Sequence, residues 1–318
     1  MPRETVIVSA AGSTNGVNVI RALRSQKEYE LRIIGIDADP YAAGLYLADA
    51  REVVPKASES TFKDRVLEIC KEYSASMLIP THSVELHFYS ANRIAFEEIG
   101  VRLMVPSTDV LEICDDKVKM ASFFRQLGIK CPKHYEPSNT TDIPETCFPL
   151  FIKSRFGSGS SYARKISSPE ELAFYLRRTP DPIVQEYIDG DEYTVNVVSD
   201  YQGGVVGALP IKRLRVRSGL AVLAETELNS RLIQEAVTVV EGLHIVGPSN
   251  VQVIVRDSEH IFIEVNPRFA SGTLPLAVAA GLNIPLIMVK LMLGHRIDQP
   301  LLRNGTRMVR HWDFVIIE

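Results

Sequence analysis

Two strand-like runs near the C-terminus, Ser249–Val255 and 261–268, constrain this chain more than any other feature. Apolar and polar residues alternate in both, and Pro267 ends the second by removing a backbone donor. The polar stretch Arg256-Asp257-Ser258-Glu259-His260 lies between them and reads as a hairpin loop. A hairpin symmetric about Ser258 sets Gln252 opposite Glu264, with Cβ atoms about 5 Å apart on one face. Period-two alternation adds Asn266 and Arg268 to that face and sends Val251, Val253, Ile263 and Val265 to a core face. One surface then holds a carboxylate, two amide oxygens and a guanidinium. Oxygen donors of this kind suit Mg²⁺, which completes its shell with phosphate and water, while Arg268 can hold an anion beside it. An ordinary solvated strand face would look the same, and a one-residue slip would scatter the cluster.

With 318 residues, the chain exceeds one typical core and suits two or three lobes. Apolar residues make up 46% and charged residues 23%, the composition of a globular protein. A net charge of −4 gives no basic excess for nucleic acid. No apolar run approaches the ~20 residues of a membrane span, and the N-terminus enters a strand at once, so no signal peptide is expected. Cys70, Cys114, Cys131 and Cys147 have no metal-site spacing, which points to a reduced, cytoplasmic setting.

Residues 1–107 read as a small doubly wound α/β domain. Thr5–Ala10 and Leu31–Asp37 are strands, 61–73 has helical spacing, and Met77–Pro80 is a third strand. The turn Ala11-Gly12-Ser13-Thr14-Asn15-Gly16 opens a helix, but its glycines lack GxGxxG spacing. An NAD(P) oxidoreductase would rest on this lobe alone, on the glycine turn and on Asp37 at the end of the second strand. The helix start still offers backbone N–H groups to a carboxylate or phosphate. Glu85 suits either a substrate ammonium group or the helix dipole, and His82 reads as a loop residue.

Residues 108–190 form a second lobe. Lys117 near a helix start opposes the dipole, which hints at another role. Phe148–Ser154 is a strand carrying Lys153, followed by the loop Gly157-Ser158-Gly159-Ser160. Such a loop exposes backbone donors and can fold over phosphates, yet it departs from the P-loop pattern because the lysine comes first. Gln185-Glu186-Tyr187-Ile188 runs into an acid-rich turn with Glu192, where backbone groups could read an adenine edge and Glu192 the ribose. Residues 191–318 form the third lobe. Alternation would line up Arg213, Arg215 and Arg217 for an anion. His311–Ile317 reads as a last strand, and apolar surface on the last helices would support a homodimer.

Taken in order, Lys117, Lys153 with the 157–160 loop, 185–188 with Glu192, Gln252, and Glu264-Val265-Asn266-Pro267-Arg268 closely resemble the ATP-grasp superfamily. The resemblance covers nearly the whole chain. Its nearest forms are the carbamoyl-phosphate-synthase large chain and small carboxylate–amine ligases. It implies a pre-ATP-grasp α/β domain followed by a two-lobed α+β grasp holding ATP. By that resemblance Lys117 and Lys153 contact phosphates under the loop, residues 185–188 form the adenine hinge, and Glu192 holds the ribose. Glu264 bridges two Mg²⁺ (or Mn²⁺) ions, with Gln252 on one and Asn266 on the other; many relatives have an acid where Gln252 stands. Arg268 steadies the transferred phosphoryl group, and Arg213 and Arg215 clamp the substrate. The implied reaction joins a small carboxylate to an amine through an acyl phosphate. Carbamate or carboxyphosphate chemistry, and a silent nucleotide-binding regulator, are the alternatives.

Overall fold

The computed structural model describes residues 3–135, 143–157 and 162–317. The first sheet is parallel, with strand order β3-β2-β1-β4-β5. It comprises β1 (Glu4–Ser9), β2 (Leu31–Asp37), β3 (Ala50–Val53), β4 (Met77–Pro80) and β5 (Arg102–Leu103). Helices α1 (Thr14–Ser25), α2 (Ala43–Leu47), α3 (Phe62–Glu72) and α4 (Ser83–Glu97) connect these strands. Both faces are covered. Val6 and Val8 enter one core with Val19, Ile20 and Leu23, while Ile7 enters another with Ile34 and Ile36. That two-sided burial is why the strand reads as continuously apolar.

The glycine turn serves packing. A Cβ on Gly16 would stand 2.4 Å from the Ala10 carbonyl oxygen, so only glycine lets α1 approach β1. The Gly12 N–H donates to Asp37 Oδ2 at 2.8 Å, tying the turn to the second strand.

Glu85 turns into this domain. Ser9 Oγ donates to its Oε2 at 2.7 Å, and Tyr89 OH donates to Ser9 Oγ at 2.7 Å. Burial raises the Glu85 pKa to about 7. A carboxyl group raised on folding favours the folded state below its ordinary pKa, and that contribution is lost as pH rises through the folded value. The thermal midpoint should therefore decline between about pH 4.5 and 7, and Glu85→Gln should remove that decline. A melting series across this range in which the two proteins run parallel would refute the assignment.

Helices α5 (Thr108–Asp115) and α6 (Lys117–Gln126) lead to a four-stranded antiparallel sheet ordered β6-β9-β7-β8. Its strands are β6 (His134–Tyr135), β7 (Leu150–Ser154), β8 (Arg164–Ile166) and β9 (Pro182–Glu186), with α7 (Pro169–Leu176) on one side. Its core is small, built on Leu150, Ile152, Ile166, Leu172 and Val184.

A six-stranded antiparallel sheet follows, ordered β14-β13-β10-β11-β12-β15. It contains β10 (Asp191–Ser199), β11 (Val205–Arg217), β12 (Leu220–Thr226), β13 (Gly247–Arg256), β14 (Glu259–Asn266) and β15 (Arg307–Val309). Helix α8 (Ser230–Gly242) contributes Leu232, Ala236, Val239 and Val240 to one face, where Met120 and Phe124 of α6 also pack. Helices α9 (Leu274–Ala279) and α10 (Ile284–Met292) cover the other face and share one core with β1 and α1. The last strand is Arg307–Val309 rather than His311–Ile317, because 307–309 take the pairing positions on Leu223–Glu225 of β12.

Candidate active site

The β13–β14 hairpin places Gln252 opposite Glu264, Val251 opposite Val265 and Asn250 opposite Asn266. It reaches this register by an unexpected route. The turn is only two residues, Asp257 and Ser258, both at positive φ (50° and 65°), with Arg256 paired to Glu259. This is the primed geometry that suits strand twist. A regular ladder from that turn would set Glu264 opposite Val251, on the core face. A bulge between Gln252 and Val253 restores the pairing, since Val253 opposes Phe262 and Ile263 is the extra residue. The expected core position of Ile263 is therefore corrected. Phe262 fills the core, and Ile263 faces the site.

Three cavities meet at Glu264. The first, about 340 Å³, lies between the four- and six-stranded sheets. Phe151, Ile254 and Ile263 wall it, residues 185–188 edge it, and Lys153, Glu192, Arg213 and Gln252 supply polar groups. The second, about 390 Å³, lies between the parallel domain and the six-stranded sheet. The start of α1, His82, Ser83, Arg213, Gln252 and Arg268 line it. The third, about 330 Å³, reaches Lys117, Gly157 and Asn266.

The cations around Glu264 are withdrawn from water. Lys153 is 7% exposed, and burial depresses its pKa to about 8, with the Glu264 charge opposing the shift and Lys117 adding to it. Burial also lowers Lys117 and Arg268, again against the pull of Glu264. One carboxylate thus faces three desolvated cations.

Hydrogen bonds fix the face. Asn266 Nδ2 donates to Glu264 Oε1 at 3.0 Å, and an Arg268 N–H donates to Asn266 Oδ1 at 3.1 Å. Arg268 Nε donates to Ser83 Oγ at 2.8 Å, which anchors it to α4. Lys117 Nζ donates to the Gly157 carbonyl at 2.9 Å. Asp116 caps α6 and receives Arg155 through two bonds, 2.9 and 2.6 Å, so the loop after β7 is latched beside Lys117. Gly157 has φ +89°, a left-handed turn that suits glycine. Ser158, Gly159 and Ser160 lie outside the described residues.

Arg213 lines the first two cavities and pairs with Glu192 at 3.0 Å. Arg215 lines none of the three, since irregularities on both sides of it in the β11–β12 ladder break the expected alternation. Among the described residues, no group of three or more His, Cys, Asp or Glu gathers as a metal site. The oxygen donors of Glu264, Gln252 and Asn266 instead fit a hard cation that takes its remaining ligands from phosphate and water.

Sequence reasoning missed three contributors. Asn250 donates to the Arg268 carbonyl at 3.0 Å and was reachable by the same period-two step that found Asn266. Ser83 and Asn15 come from the first domain. Asn15 bridges the domains, donating to the Thr81 and Phe269 carbonyls at 3.2 and 3.0 Å, while its own oxygen is buried without a partner. No local pattern reveals either residue.

Comparison with known proteins agrees with this architecture. The model of the ATP-grasp domain matches residues 114–272, and that of the PylC-like N-terminal domain matches residues 6–104. The carbamoyl phosphate synthase large chain of Thermotoga neapolitana is 30% identical over 69% of this chain and 22% of its own length. That of Pseudothermotoga lettingae is 22% identical over 87% of this chain and 26% of its own. The chain therefore spans only about a fifth to a quarter of these relatives. Among solved structures, the Hydrogenobacter thermophilus 2-oxoglutarate carboxylase biotin carboxylase domain, a dimer with MgADP, ADP and bicarbonate, superposes with TM-score 0.76. It is 16% identical and covers 96% of this chain and 73% of that one. Campylobacter jejuni biotin carboxylase, a β,γ-ATP complex, gives TM-score 0.74 at 18% identity over 93% and 73% of the two chains. These likenesses concern the fold, and the domain match spans half of the sequence: the chain belongs to the ATP-grasp family.

Proposed function

We propose that this chain is an ATP-dependent carboxylate–amine ligase that forms an amide through an acyl phosphate and releases ADP and phosphate. The observation that carries the reading is Glu264 at the junction of three cavities, ringed by Lys117, Lys153 and Arg268. ATP occupies the 340 Å³ slot, its base between Phe151 and the Ile254/Ile263 pair, its edge along 185–188 and its ribose at Glu192. Lys117 and Lys153 hold the phosphates. Glu264, Gln252 and Asn266 would hold one or two Mg²⁺ ions, replaceable by Mn²⁺, which neutralise charge on the phosphates.

The carboxylate substrate enters the 390 Å³ cavity, where Arg213 and Arg268 are the lining cations and the first turn of α1 adds backbone donors. One of its oxygens attacks the γ-phosphorus in line as the β–γ bridge breaks. Lys153, Lys117 and Arg268 stay fixed while charge shifts, so little reorganisation opposes the step.

The test is ADP release with Mg-ATP and a panel of small carboxylic acids, with and without amines. Acid-dependent ADP release that yields amide supports the reading. The names of the synthase relatives favour a second reading, phosphoryl transfer to bicarbonate or carbamate, and bicarbonate-dependent release without any other acid would select it. Tight ATP binding without turnover would leave a regulator. Arg213→Ala should raise the acid KM by about 10- to 100-fold, the value of a charged hydrogen bond. Arg215→Ala should stay within about twofold, since an exposed side chain that lines none of the three cavities is nearly neutral when removed. Equal effects in the two kinetic series would remove Arg213 from the clamp. A homodimer like that of the 2-oxoglutarate carboxylase domain is part of the proposal, and light scattering tests it.

A further inference from the structure

The walls of the 390 Å³ cavity are polar. Apart from Leu220, Ala221 and Ala270 they are hydroxyls, amides, an imidazole, charged groups and glycine, in contrast to the aromatic and aliphatic walls of the nucleotide slot. Most of these hydroxyls serve the fold. Ser13 Oγ accepts the Gly16 N–H at 2.9 Å, Thr81 donates to the Ser9 carbonyl at 2.7 Å, and Ser83 accepts from Arg268 at 2.8 Å. Thr273 Oγ1 accepts from Asn196 Nδ2 at 3.0 Å. Thr194 differs. It stands on β10 opposite Gln252 of β13 and lines the cavity. The residue is 5% exposed, and its hydroxyl has no hydrogen-bond partner among the described residues. Its strand neighbours Tyr193 and Val195 turn to the opposite face, into the core under α8. Valine would fill the same volume with no hydroxyl to satisfy, so a threonine here points to a partner that arrives from the cavity. Water can serve while the site is open. A substrate that displaces the water must bring a partner of its own.

We infer that the acid substrate is a hydroxy acid without a free ammonium group, and that Thr194 reads its hydroxyl. The inference rests on the ligase reading, which gives this cavity to the acid and its carboxylate to Arg213 and Arg268. Gln252 lies between Thr194 and Glu264 in the sheet, a span of two strand spacings, about 10 Å. A carboxylate near Glu264 and a hydroxyl at Thr194 thus fall within one small molecule. An acid with only methylene groups there would leave the Thr194 hydroxyl dry and unpaired. Charge disfavours an ammonium group. Glu264 is the one carboxylate lining the cavity among the described residues, and the metal claims it. The ammonium would then face two arginines with no acid to meet it.

The experiment measures kcat/KM for ADP release with Mg-ATP and matched trios of small aliphatic acids. Each trio compares an unsubstituted acid with those carrying a hydroxyl or an ammonium group at the same carbon. In the trio with the fastest release, the hydroxy acid should lead in wild type by at least about tenfold, the effect of one buried hydrogen bond left unmade. Thr194→Val, which keeps the side-chain volume, should bring the ratio of hydroxy to unsubstituted acid close to one. Thr194→Ser, which keeps the hydroxyl, should restore the preference. An unsubstituted or ammonium-bearing acid in the lead overturns the inference, as does a hydroxy-acid lead that survives Thr194→Val. A loss shared equally by all three acids in Thr194→Val would show a purely structural role and overturns it too. No ADP release with any acid in wild type overturns the ligase reading itself, and this inference with it.

Discussion

Glu264→Gln is expected to lower ADP release by about 10²- to 10³-fold, the scale of losing one fixed charge-stabilising group at a reacting centre. The side chain keeps its shape and can still meet Asn266, which donates to it at 3.0 Å. The negative charge is what disappears. Glu264 opposes the burial shift on Lys117, Lys153 and Arg268, so all three cations lose their common counter-charge. Removing one partner of a fully buried pair costs about 3–5 kcal/mol, and a half-buried carboxylate should cost less, about 1–3 kcal/mol. The variant should therefore melt several degrees lower and be nearly inactive. Steady-state ADP release together with a melting curve checks both, and full turnover in the variant would remove Glu264 from the reaction.

Much of this site was readable because strand alternation is local and rigid. The Gln252/Glu264 pairing, Asn266 and Arg268 all followed from period two. The route was hidden. A five-residue loop centred on Ser258 and a two-residue turn with a bulge give the same pairing at Glu264. Phe262 and Ile263 are both large and apolar, so nothing in the sequence says which one is extra. Arg215 fell out for a similar reason, since ladder irregularities have no residue signature there. The parallel domain was legible from its apolar runs and glycine turn. Its inward-facing Glu85 was not, because an acid in a first helical turn is ordinary until Ser9 and Tyr89 are seen above it. Ser83 and Asn15 reach the site only through docking of the domains.

The second large effect concerns pH. Burial depresses Lys153 from 10.5 to about 8, so its ammonium form dominates at neutral pH and fades above pH 8. Phosphate binding needs the charged form. ADP affinity should thus fall roughly eight- to tenfold between pH 7.5 and pH 9, with proton uptake on binding near pH 8. Stability of the free protein moves the other way. A cation whose pKa is depressed on folding opposes folding fully below the folded value, and the penalty is relieved as pH rises from about 8 to 10.5. Lys153→Met should weaken ADP binding and flatten its dependence on pH. Calorimetry in buffers of different ionisation enthalpy measures both affinity and proton uptake, and a flat wild-type profile would show that Lys153 does not meet the phosphates.

The most direct measurement is a crystal structure of the chain with Mn²⁺ and a non-hydrolysable ATP analogue, using anomalous scattering to find the metal. Manganese should be bound by Glu264, with Gln252 or Asn266 beside it, and the triphosphate should reach Lys153 and Lys117. Manganese away from Glu264, or the nucleotide resting on the Gly12–Gly16 turn, would contradict this assignment.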